Sequence, residues 1–206
     1  MKKILILITV IYFKLYSQDF QGRVDYETSY KIISDNESET NLMKDMGTKM
    51  TLTIKNGFCK EISNAEYGNL HLYNPKENRI YFTDKFSPKT LYYYNGDKEP
   101  NTKATYEIIK NAETILGHLC DKLIYKTKSY EILYFYSSDL QSDPKYLKDF
   151  TYLNRNKKLE IMKSICLKQI VKTKNFIATM EAVKITPEKI NDDEFIKPSY
   201  TELNEQ

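Results

Sequence analysis

The sequence predicts a mainly β protein with short helices, and three observations carry that prediction. From Phe20 onward apolar and polar residues alternate, with Phe20, Gly22, Val24 and Tyr26 set against Gln21, Arg23, Asp25 and Glu27. That period of two belongs to strands with one buried face. Turn chemistry recurs between the alternating runs at Asn56-Gly57, Asn74-Pro75, Ser87-Pro88 and Asn95-Gly96-Asp97, and connections this short pair sequence neighbours antiparallel. Helical spacing breaks the rhythm in two places.

The first break is residues 36–46, where Leu42, Met43 and Met46 recur at helical intervals behind an acidic, Ser-rich start. Met50, Leu52 and Ile54 then alternate with threonines up to Asn56-Gly57, the strongest hairpin signal in the chain. Strands are predicted at residues 70–73, 79–83 and 89–94. A polar link around Pro100 leads to strands at 104–114 and 119–127, with Gly117 at the bend. Residues 130–136 are apolar on both faces, as in a covered strand. Asp143-Pro144 is a helix start, N-cap then first position, for a helix running to about residue 152. A polar turn at 154–158 and three strands at 159–165, 167–174 and 176–186 complete the domain. The tail is expected to lie over it and to fray from residue 199 to 206.

Residues 1–18 read as a secretory signal peptide. Lys2 and Lys3 precede a ten-residue apolar run, residues 4–13, and Ser17 offers a small residue before the cut. The run is about half the length that spans a bilayer. No cysteine lies near the cut, so the expected product is exported to the periplasm or beyond with no lipid or transmembrane anchor. Losing Lys2, Lys3 and Lys14 from 31 basic residues leaves them balanced against 28 acidic ones, which gives no global reason to seek nucleic acid. Residues 19–198 are expected to form one domain.

Candidate sites are few. Leu42, Met43 and Met46 with Met50, Leu52 and Ile54 form either a core stripe or the lining of an apolar cavity, where methionine adapts to irregular ligands. Cys59, Cys120 and Cys166 allow one disulfide of undetermined pairing or three reduced thiols; a Cys59–Cys120 bridge is worth about 4 kcal/mol in the loop-entropy model. His71 and His118 lack ligand spacing for a metal. Asp139, Asp143 and Asp149 lack the glycine and spacing of a calcium loop. Asp192-Asp193-Glu194 reads as a solvated run or a patch for a basic partner. Eighteen tyrosines and no tryptophan offer interface anchors, though tyrosine is also an ordinary strand residue. No hydrolase elbow, phosphate loop or zinc helix occurs, so no catalytic residue and no cofactor is assigned.

The stretch Ile115-Leu116-Gly117-His118-Leu119-Cys120-Asp121-Lys122 precedes two strands, the acidic Ser137-Ser138-Asp139-Leu140 and a proline. With the opening Phe20-x-Gly22-x-Val24-x-Tyr26 and the closing Phe195-Ile-Lys-Pro198, it resembles the GLPGLI family and related secreted proteins of Gram-negative bacteria. The family's namesake hexapeptide is replaced here by a segment running from Tyr152 to Ile161. The resemblance implies a fold similar to the lipoprotein carrier LolA, a curved antiparallel half-barrel wrapped around short helices. It further implies an apolar cavity, and with the signal peptide and the strand-rich pattern the expected occupant is a lipid or lipidated protein; the alternative expectation is a scaffold whose exposed tyrosines meet an envelope protein or a glycan. The resemblance transfers no catalytic residue.

Overall fold

The computed structural model describes residues 19–35, 37–98 and 103–206. The predicted signal peptide, Asn36 at the start of the first helical run and the link around Pro100 lie outside the described residues.

Alternation becomes sheet. β1 (Gly22–Ile32), β2 (Lys49–Lys55), β3 (Phe58–Ser63), β4 (Leu70–Asn74), β5 (Arg79–Thr83) and β6 (Thr90–Asn95) are followed by β7 (Thr105–Ile115), β8 (His118–Lys126), β9 (Glu131–Gln141), β10 (Ser164–Lys172), β11 (Phe176–Pro187) and β12 (Glu202–Glu205). Among the described residues these twelve strands form one open sheet in the order β12-β6-β5-β4-β3-β2-β1-β11-β10-β9-β8-β7. Every pairing is antiparallel except β12 with β6. Two eight-residue helices accompany it, α1 (Glu39–Met46) and α2 (Arg155–Met162).

The predicted turns close as their residues dictate. Asn56 and Gly57 take φ of 49° and 83° between β2 and β3, and Leu116 and Gly117 take 48° and 85° between β7 and β8. Both pairs have the doubly positive φ that suits tight antiparallel hairpins. Gly57 is needed for a second reason: a Cβ there would stand 2.5 Å from the Tyr146 ring.

The sheet is strongly curved. Gly96, just past β6, accepts a bond of 2.6 Å from the Thr151 amide, and three residues later the Asn154 side chain donates to the Tyr125 hydroxyl on β8 at 3.2 Å. Nine strand steps separate β6 from β8, or about 43 Å if the sheet were flat at ~4.8 Å per step. Three residues of chain plus two side chains reach only about 20 Å. The two arms therefore close around residues 144–162.

Inside the curve and behind it the core divides. Val24, Cys120, Phe135, Ile165, Leu167 and Ala182 belong to the largest buried cluster, joining β1 and β8 to β11. Leu72, Tyr81 and Leu91 are covered by Ile190 and Phe195 of the C-terminal segment. Leu133, Tyr134, Phe135 and Tyr136 are all buried, as their apolar run predicts.

Three sequence expectations are corrected. The polar turn at 154–158 and the strand at 159–165 are instead α2 followed by β10, because Arg155, Lys158, Leu159 and Met162 recur at 3.6-residue spacing and Leu159 finds a buried seat. The helix beginning at Asp143 is only one 3-10 turn, Pro144–Leu147, although Asp143 does cap it by accepting from the Lys145 amide; the fully buried Phe150 draws the chain back to the sheet. The acidic run at 192–194 is exposed at Asp192 and Asp193, as the sequence predicts, and two of its carboxylates also meet bases of this same chain. Asp192 pairs with Lys55 at 2.6 Å, and Glu194 with Arg23 at 2.9 Å and Lys60 at 3.3 Å. Finally, residues 199–206 do not simply fray, since β12 runs parallel to β6, from Glu202 opposite Thr90 to Glu205 opposite Tyr93. An edge strand offers unpaired backbone groups, and the long return over the convex face delivers the tail to them.

Candidate functional site

The register of β1 to β4 builds one wall of a groove inside the curve. Met50, Leu52 and Ile54 share a face of β2, with Tyr26 opposite Met50 on β1 and Glu61 and Cys59 opposite Leu52 and Ile54 on β3. The same row continues to His71 and Tyr73 on β4. The far wall comes from Ile165, Cys166 and Gln169 of β10 and Met180 of β11. Tyr146 and Leu147 of the 3-10 turn close one end, and Arg155 and Leu159 of α2 lie across the space, leaving a cavity of about 210 Å³.

The groove has two extensions. One, about 350 Å³, runs beneath α2 between Glu61, Arg155, Lys158, Leu159, Tyr134 and Gln169. The other, about 320 Å³, opens toward α1 past Met46, Met50, His71 and Met180. Glu61 borders all three spaces, and Arg155 borders the first two.

Of the six apolar candidates, Met50, Leu52 and Ile54 line the central cavity, and Met46 stands at the mouth of the second extension. Leu42 and Met43 are elsewhere: Leu42 packs with Tyr30 and Ala178, and Met43 is exposed. All three cysteines are free thiols, Cys59 and Cys166 half-buried in the groove wall and Cys120 buried in the main core. Asp139 lies 3.1 Å from His118 on an outer edge.

Burial shifts several side chains of the groove toward their neutral forms. Burial pushes the thiols of Cys59 and Cys166 up to about 12, and the Tyr73 phenol likewise to about 12. Tyr26 and Tyr134 are also raised by burial. Burial lowers His71, against the neighbouring Glu61 carboxylate that raises it. Burial first and the Arg155 charge second bring the Lys158 ammonium down to about 7. A thiol so protonated is a poor nucleophile at neutral pH, and His71 Nδ1 lies 3.8 Å from Glu61, beyond hydrogen-bond reach.

Sequence reasoning missed α2 and with it Arg155 and Lys158. Two residues before the helix proper are left-handed, Leu153 at φ 54° and Asn154 at φ 56°. Such a conformation is a genuine outlier for leucine. The Asn154–Tyr125 bond holds this turn, and Lys158 then reaches the Tyr134 hydroxyl at 3.1 Å, over the rings of Tyr125 and Tyr134. The available signal was the i, i+3, i+4, i+7 series Arg155, Lys158, Leu159 and Met162.

No family model matches this chain, and no curated protein matches it. Among solved structures the chain is similar to PNGF-II, with a TM-score of 0.49 at 13% identity over 90% of this chain. The chain spans 32% of the length of PNGF-II.

Proposed function

We propose that this protein is an exported envelope protein, a loose relative of the GLPGLI group, whose sheet is a LolA-like half-barrel that holds the apolar part of a lipid or a lipidated protein. The observation that supports this best is the groove itself. Its walls carry Met50, Leu52, Ile54, Leu159, Ile165 and Met180, flexible or branched apolar groups that conform to a chain. Burial keeps the thiols and phenols among them uncharged. Such a surface repels little that is greasy and gains about 25 cal/mol for each Å² of ligand it takes from water.

The test is native mass spectrometry and lipid extraction of protein purified from the periplasm of its own host. A co-purified lipid, lost when Leu52 and Leu159 are both replaced by glutamine, is the expected result. An empty groove that also takes up no added fatty acid or phospholipid overturns the proposal.

A second role, as a scaffold that binds an envelope protein or glycan, draws on a different surface. Tyr67 and Phe86 are 58% and 60% exposed with ring centroids 5.1 Å apart. The exposed Met46 ends α1, whose carbonyls bond the amides of Glu66 and Tyr67. A stoichiometric partner recovered by cross-linking in intact cells, lost in Tyr67→Ala/Phe86→Ala, supports this role, and its absence removes it. The inner aromatic row is a poorer platform. Phe82 stacks with Tyr92 and Tyr94 at 5.3 and 5.2 Å, and Tyr94 with Tyr152 at 5.0 Å, so these ring faces are turned onto one another.

A further inference from the structure

We infer that the groove selects an amphiphile with an anionic head group, a carboxylate or a phosphate monoester, which Arg155 and Lys158 hold while the apolar chain lies along β2. This rests on the lipid-binding proposal above and narrows the class of ligand.

The three arginines of the chain are treated very differently. Arg23 is answered by Glu188 and Glu194 on the outer face. Arg79 donates to the Asn95 side chain at 2.9 Å and lies over the Tyr93 ring. Arg155 borders the central cavity and the space beneath α2, and among the described residues no carboxylate forms an ion pair with it. Its guanidinium lies 5.6 Å from the Phe150 ring centroid. It acts electrostatically on Cys59 of β3, His71 and Tyr73 of β4 and Tyr134 of β9. It therefore stands between the arms and not at their rim.

A half-buried guanidinium without a counter-charge is unfavourable, because the low-dielectric wall replaces water poorly. Glu61, the carboxylate on the same wall, leans toward His71 at 3.8 Å. Lys158 stands one helical turn from Arg155 on the same face of α2, its ammonium turned to the Tyr134 hydroxyl and two tyrosine rings. The five guanidinium donors of Arg155 and the amine of Lys158 thus border the same space under the helix, where it meets the cavity. An incoming carboxylate or phosphate completes that set with charge-assisted bonds. The strained Leu153–Asn154 turn fixes the direction from which α2 presents both side chains.

Calorimetric titration with dodecanoate, dodecyl phosphate and dodecanol separates this inference from the proposal on which it rests. Wild type is expected to bind at least one of the anions roughly 10- to 100-fold more tightly than the alcohol, the scale of a charge-assisted bond. Arg155→Gln should bring the affinity for the anions down toward that for dodecanol, and Arg155→Lys should recover part of the preference. Equal binding of anions and alcohol by wild type overturns the anionic selection and leaves the lipid groove standing. Binding of none of the three overturns both. Should Arg155→Gln not fold, the wild-type comparison of anion with alcohol still decides.

Discussion

The two helices have the same length and opposite fates. α1 carries the apolar residues a sequence reader would send into a cavity, yet it lies beside β1, burying Leu42 against Tyr30 and Ala178 and leaving Met43 and Met46 at the surface. α2 is the more polar, yet it crosses the groove. The difference shows that amphipathic pattern finds a seat on a closed surface, whereas a helix across an open concavity needs only one good anchor and can turn its charges inward. For α2 that anchor is Leu159, supported by the buried Phe150 that precedes the helix.

Removing the support of α2 should have the largest effect. Phe150 is fully buried, edge-on to Tyr73 at 4.9 Å, and Phe150→Ala should destabilise the fold by about 4 kcal/mol in urea denaturation. A loss below about 1.5 kcal/mol would show that the segment carrying α2 is not seated as described. Next come the paired truncations. Leu159→Ala should cost about 3 kcal/mol and Leu42→Ala about 2, and only the former should weaken fatty-acid binding. Equal loss of binding in both would erase the contrast between the helices.

A smaller effect follows from Lys158. Its ordinary value of 10.5 falls to about 7 in the folded protein, so between those values the unfolded chain binds more protons and folding becomes more favourable as pH rises. The thiols of Cys59 and Cys166 act oppositely, but only from their ordinary value of 9.0 up to about 12. His71, lowered from 6.5, acts below the window. Between pH 7 and 9 the wild type should therefore gain about 1 kcal/mol relative to Lys158→Met, under the ceiling of ~1.4 kcal/mol per pH unit because the amine is partly solvated. Parallel stability curves for the two proteins would place Lys158 in water. Smallest of all, Leu153→Asn should stabilise the protein by about 0.5 kcal/mol, since asparagine tolerates the left-handed backbone better than leucine. Destabilisation would mean that the exposed leucine contributes more by packing under α2 than it loses in strain.

Much of the sheet was legible. Met50, Leu52 and Ile54 alternate in the sequence and do share a wall, because a strand's period is fixed by its backbone. Asn56-Gly57 and Gly117 mark hairpins for an equally local reason, the positive φ those turns require. Asp143 caps its neighbour two residues on. The site was legible by half: one wall lay in β2, but nothing nearby in the chain announced that Arg155 would face it. Residues 155–165 satisfy two periods at once, Leu159, Ile161 and Ile165 matching a strand while Arg155, Lys158, Leu159 and Met162 match a helix.

The sequence by itself thus determined the β class, the hairpins and the apolar face of β2, all of which depend on groups within a few residues of one another. Only the tertiary structure decided that the sheet curls, that α2 lies inside it, that the acidic run at 192–194 meets Lys55, Lys60 and Arg23, and that β12 pairs parallel to β6. The last two outcomes join groups more than a hundred residues apart, and the first two join groups 24 to 55 residues apart. They turn on which distant surfaces can bury apolar area and match charge together, and no local pattern carries that information.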